Sequence, residues 1–269
     1  LFIPIGFICF FLPFFLLINN HQACAKTLFA IVSDRSSTAL AAGADYFYER
    51  NPGHKLNFRS TSQLAQMADT EVLSLWNNSD VVLAIGVFGD TAVRLQSLLD
   101  KNKNAQPFLA ISSTISLIKR SQNHQGLLFK GFDKDKMKRI GKSPGSKESL
   151  SEWVFRLSKE FPQQKYWIHA KGYWQARGQH NLANLISLSL QLGGATLQPD
   201  DIRPQKKIRF YRNRSFIDEK SITLNGRPWI ALIDHDTGDR KGNIDLIDQL
   251  CSFAKKEGLD CLAIFAAWG

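Results

Sequence analysis

The chain has 269 residues, 44% of them hydrophobic and 22% charged. That balance excludes a disordered or collagen-like protein, and the length bounds the chain to one or two domains. The 34 Lys and Arg against 24 Asp and Glu give a net charge of +10, all of it after residue 25, and so point to an anionic partner.

Residues 1–18 are apolar and uncharged. Asn19, Asn20, His21 and Gln22 follow, then Ala23-Cys24-Ala25. An apolar run ending in an A-x-A site predicts a signal peptide over 1–25, cut before Lys26, with its basic n-region missing. An uncleaved membrane anchor and a buried core helix are the alternatives. The run is at the lower limit for a span, and Pro4 and Pro13 weigh against a regular helix. The expected location is therefore exported, either periplasmic or membrane-anchored facing the periplasm, and export disfavours a nucleic-acid partner. The first residue is not Met, and Ile264–Gly269 reads as a strand without its covering helix, so both ends are expected to be incomplete. Cys251 and Cys261 are expected as buried free thiols, with one bridge between them as the alternative.

From Lys26 onward, short β-rich runs alternate with amphipathic helices. Strand Leu28–Ser33 precedes a helix over Thr38–Arg50, which presents Leu40, Ala44 and Phe47 on one face and stops at Asn51-Pro52-Gly53. Strand Lys55–Arg59 is followed by short helices Ser62–Ala68 and Thr70–Trp76, the second capped from Asp69-Thr70. Val81–Val87 is a continuous apolar run suited to a central parallel strand. Helix Thr91–Lys101, capped by Asp90, and strand Pro107–Ser112 complete the pattern. The alternation predicts an α/β fold with a doubly wound parallel-sheet domain over 26–147. A helical segment over 148–200 is expected to hold helices Ser149–Phe161 and Gln175–Leu192, the second ending at Gly193-Gly194. Residues 201–269 are expected to be a linker, extended and basic to residue 228, and then the start of a second α/β domain. Its elements are Trp229–His235, Asn243–Glu257 and Leu259–Ala266.

Catalytic signatures are mostly absent. Gly141-Lys142-Ser143 resembles the end of a phosphate loop, but Lys136 stands where the loop needs glycine. No G-x-G-x-x-G, G-x-S-x-G, H-E-x-x-H or C-x-x-C occurs, and the six histidines do not fall at metal-ligand spacing. The informative residues lie at the predicted strand ends: Arg35, Arg59, Phe88 and Arg94. In an open α/β sheet these ends form the ligand crevice. Arginine forks pair with carboxylates, and an aromatic ring lies well against a flat one. A second candidate group is Tyr173, Trp174, Arg177 and Asn181, an aromatic and cationic wall at the opening of a helix. For both groups the competing reading is structural, as loop polar groups, caps and packing. Asp234-His235-Asp236 offers cation ligands or a turn cap. The run Arg203–Arg214 reads as a solvated linker or a face toward acidic partners.

The ordered set of Phe58-Arg59-Ser60-Thr61-Ser62-Gln63-Leu64, Ser79–Leu83 with Val87-Phe88-Gly89-Asp90 and Arg94-Leu95, Tyr173-Trp174 with Gly178 and Asn181, and Ile230–Ile233 through Leu250-Cys251 to Ile264–Ala266 resembles the head of the cobaltochelatase large subunit (CobN type). That family is related to the magnesium chelatase H subunit. The resemblance implies a full protein that binds a tetrapyrrole and handles a divalent metal such as cobalt, magnesium or iron. An AAA+ partner complex hydrolyses ATP in the classical family. Its catalytic groups would lie outside this segment, so no catalytic or metal-binding residue is expected here. Exported relatives imply an outer-membrane uptake system as the alternative partner, with metal removal rather than insertion. Ring carboxylates would then meet Arg35, Arg59, Arg94 or Arg177, with Phe88, Tyr173 or Trp174 against the ring.

Overall fold

The computed structural model describes residues 25–102, 106–145, 147–204, 206, 208–223, 226–235 and 241–266. The leader expectation, all of it but Ala25, and Asp236 lie outside them. Among the described residues no helix is long and apolar enough to cross a membrane.

Two sheets form. The first takes β1 (Thr27–Val32), β2 (Lys55–Ser60), β3 (Val81–Ile85), β4 (Phe108–Ile111), β5 (Gln122–Asn123) and β6 (Gly126–Leu127), in the order β2-β1-β3-β4-β5-β6. The first four are mutually parallel, and β5 and β6 form a short antiparallel edge. β1, β3 and β4 are apolar throughout because helices cover both faces. Leu28, Ala30, Val32, Leu83 and Ile85 face α1 (Asp34–Tyr48), α6 (Lys134–Gly141), α7 (Leu150–Glu160), α8 (Lys165–Ala176) and α9 (Gly178–Leu192). Phe29, Ile31, Val82 and Ala84 face α2 (Thr61–Gln66), α3 (Asp69–Asn77), α4 (Gly89–Lys101) and α5 (Ile115–Ile118). The fold is α/β, as the alternation predicts.

Close packing sets helix positions. A Cβ on Gly43 would fall 2.5 Å from Leu182 Cβ, so α1 and α9 touch through a bare backbone. The predicted helix Gln175–Leu192 is in fact two helices. Arg177, at φ 59°, and Gly178, at φ 72°, break the chain between α8 and α9. The sequence reading missed the body of α8. Trp167, Ile168, Ala170, Lys171, Gly172, Tyr173 and Trp174 are all buried, and a helix buried nearly all round shows no apolar stripe.

The second sheet takes β7 (Ile208–Arg212), β8 (Ser215–Ile217), β9 (Trp229–His235) and β10 (Asp260–Ala266), in the order β8-β7-β10-β9, with α10 (Lys241–Lys256) joining β9 to β10. The linker expectation for 201–228 is corrected in part, because β7 and β8 form a hairpin and β7 pairs antiparallel with β10. Their basic side chains hid the strands. Arg209 lies 4.2 Å from the Phe216 ring centroid, and Arg212 pairs with Asp260 at 2.9 Å. The free-thiol expectation is also corrected, because Cys251 of α10 and Cys261 of β10 form a disulfide. Antiparallel return from helix to strand brings their Cα atoms to 5.2 Å, within bridging range.

Candidate functional site

The strand order reverses between β1 and β3, the point where open α/β sheets as a class place a ligand crevice. Ser33 N–H donates to Ile85 O at 3.0 Å, and Val87 N–H to Ser113 Oγ at 3.1 Å, which closes the backbone there. Asp34, first in α1, accepts from Thr61 Oγ1 at 2.5 Å and from Ser62 N–H at 3.2 Å. The hydroxyls of Ser60, Ser62 and Thr61 hold its carboxyl well below the usual carboxylate range. Asp34 is thus a brace between α1 and α2.

The predicted edge residues divide by engagement. Arg94 is spent inside the fold. It donates to Leu64 O at 2.7 Å and Met67 O at 2.6 Å and pairs with Asp69 at 2.8 Å, thereby closing the carboxyl end of α2 onto the start of α3. Arg59 is half-buried and donates to Phe58 O at 2.7 Å. Arg35 is exposed in the first turn of α1. Phe88, 59% exposed, precedes α4.

The second predicted group sits elsewhere. His180, one residue before Asn181, lies 3.4 Å from Tyr46 Oη in the last turn of α1. Arg35 and Tyr46 are separated by about 16 Å along that helix. The first group thus starts at the opposite end of α1 from the point where the second one meets it. Trp174 is 3% exposed, with the Arg177 guanidinium 3.9 Å from its ring centroid. Asn181 is 1% exposed. Its amide donates to Arg177 O and Arg203 O, both at 2.8 Å, and accepts from Arg203 N–H at 2.9 Å. Tyr173 Oη donates to Asp200 O. Burial, with Asp201 and Asp200 adding to it, pushes that phenol up to about 12. Tyr173 and Asn181 thus fasten an extended strap, residues 199–203, across α8 and α9.

The strap roofs a cleft of about 720 Å³ that the sequence reading missed. α7 contributes Phe155 and Ser158, and α8 contributes Lys165, Tyr166, His169 and Tyr173. Of the predicted residues only Tyr173 lines it. Phe155 is highly exposed, and the Ser158 hydroxyl is buried without a hydrogen-bond partner. Burial and then Lys165 hold the His169 imidazole below its ordinary value, against the opposing pull of Asp201. That shift favours the neutral imidazole, the form that can act as a metal ligand. The signal that would have marked this site is the density of aromatic, His and Lys residues in Lys165-Tyr166-Trp167-Ile168-His169. Among the described residues no three His, Cys, Asp or Glu side chains cluster to cage a metal ion.

No protein-family model and no curated protein matches the chain. Over 90% of its length the chain is similar in structure to the catalytic subunit of cobaltochelatase from Mycobacterium tuberculosis, at 14% sequence identity and a TM-score of 0.46, and the match spans 16% of that chain.

Proposed function

We propose that this chain binds a tetrapyrrole in the cleft between α7, α8 and the strap, as the head of a chelatase-type large subunit that inserts or removes a metal ion. One observation carries the reading: the His169 imidazole lines the same cleft as Phe155, Tyr166, Tyr173 and Lys165. A flat apolar ring stacks on aromatic faces. A lysine ammonium attracts the ring's acid groups, and an imidazole nitrogen takes the axial position of a ring-bound metal. The chain's positive charge favours such an anionic ligand. In this cleft flat and cationic groups from neighbouring elements line one cavity.

The chemistry of metal insertion, the ATP-hydrolysing AAA+ partner and the export of the protein belong to the same proposal and rest on the sequence resemblance. The second reading is an exported module that captures a tetrapyrrole or metal complex without catalysis and hands it to an uptake system. An imidazole in the cleft suits a ring-bound metal, which is common to both readings.

Titrating the chain with haem and with a metal-free porphyrin, while following the Soret band, tests the binding common to both readings. Both ligands are expected to shift the band. No shift with either at about 100 μM, an affinity weaker than most specific small-molecule sites, contradicts the proposal. Metal insertion or removal assayed on the full-length protein then separates chelatase from carrier.

A further inference from the structure

The strap has two sides, and behind it lies a second cavity of about 470 Å³ with different chemistry. Its walls are polar. Tyr46 and Arg50 come from the end of α1, His180 and Asn184 from α9, and Asp200 and Arg203 from the strap. The Arg50 guanidinium lies 3.5 Å from the Tyr46 ring centroid, donates to Tyr46 O at 2.9 Å, and meets Glu49 at 3.5 Å. Arg203 stands 3.8 Å from Asp200. His180 Nε2 is 3.1 Å from the Asn184 amide nitrogen and 3.5 Å from Asp200 Oδ2.

Asp200 is the one carboxylate lining this cavity among the described residues. Its distances of 3.5 and 3.8 Å to the imidazole and the guanidinium exceed the 2.7–2.9 Å of a charge-assisted hydrogen bond. Two guanidiniums from separate segments thus line the cavity, Arg203 met only loosely by Asp200 and Arg50 tethered to Tyr46 O and Glu49. Their field is felt at the imidazole. Burial first, then Arg203 and Arg50, hold His180 below its ordinary value, and Asp200 opposes them.

We propose that this cavity binds a small organic anion through a carboxylate or phosphate held between Arg50 and Arg203, with the Asn184 amide N–H supplying a further hydrogen bond. Guanidinium forks match either oxyanion in geometry. The volume exceeds what a bare inorganic ion needs and lies in the lower part of the small-molecule range. Asp200 acts as a resident competitor that sets the affinity. The site is separate from the tetrapyrrole cleft and does not depend on it.

Calorimetric titration with citrate and with inorganic phosphate, on the full chain, tests the proposal. Binding of either probe supports it, and the tighter one names the oxyanion class. Arg203→Gln and Arg50→Gln alter side chains that are more than half exposed, so the fold should tolerate them. Each is expected to weaken binding by about tenfold or more, the worth of one hydrogen bond to a charged group. Asp200→Asn is expected to tighten it. His169→Ala should leave anion binding unchanged. No heat with either probe at about 10 mM overturns the proposal. So does an affinity that neither Arg203→Gln nor Asp200→Asn moves.

Discussion

Tyr173 donates its phenolic hydrogen to the backbone carbonyl of Asp200, and that bond ties α8 to the strap separating the two cavities. An aromatic residue that reads from sequence as ligand-facing is, in the fold, a fastener that also forms one wall of the cleft.

Tyr173→Phe leaves the Asp200 carbonyl without this donor and is expected to destabilise the fold by about 1–2 kcal/mol in urea unfolding. The phenol titrates near 12 when folded and near 10 when unfolded. Between those values the folded state holds the proton and the unfolded state does not, so stability falls as pH rises through that window. The variant should lose this part of the alkaline decline. An unchanged decline would contradict the assignment.

Lys171 gives the opposite sign. It is 6% exposed, with its ammonium on Ile140 O at 3.3 Å and on Gly141 O, and lying 5.0 Å from the Trp153 ring centroid. Burial lowers its value from 10.5 to about 8. Between about 8 and 10.5 the unfolded chain holds a proton that the folded chain has released, so this group adds stability as pH rises. The carbonyls it serves close the end of α6. Lys171→Met is expected to lose the alkaline gain, while at neutral pH the unpaired carbonyls and the relieved burial of charge oppose each other. An alkaline gain that survives in the variant would contradict this role.

Arg94→Met tests whether that arginine is a brace or a ligand. Losing its bonds to Leu64 O, Met67 O and Asp69 is expected to cost about 2–4 kcal/mol, summed over three charge-assisted contacts and discounted for exposure. Tetrapyrrole affinity should stay within about twofold of the parent once folding is allowed for. A selective loss of affinity at full stability would restore Arg94 to the binding site.

The sheet was legible because burial on both faces leaves an unmistakable mark: Val81–Ile85 and Phe108–Ile111 hold only apolar residues. α7 was legible because Leu150, Trp153, Val154 and Leu157 recur at helical spacing, and the last three are buried. What stayed hidden shares one cause, polar or charged side chains serving interior tasks. Lys171 interrupts α8 although it is buried, and the basic residues of β7 mask a strand whose Tyr211 is in the core. The site suffered in the same way. Arg94 and Asn181 drew attention by their chemistry, but their partners are carbonyls far away in sequence, which no local pattern announces. His169 passed unnoticed because its cleft is completed by Asp201 and Ile202 of a strap with no regular structure.

The most direct test of the central claim is the Soret spectrum of haem added to the parent chain and to His169→Ala. The parent is expected to show the shifted, sharpened band of imidazole-ligated haem. The variant should lose that band while still binding metal-free porphyrin, and added imidazole should restore it. An identical haem spectrum in parent and variant would contradict the placement of the ring in the α7–α8 cleft.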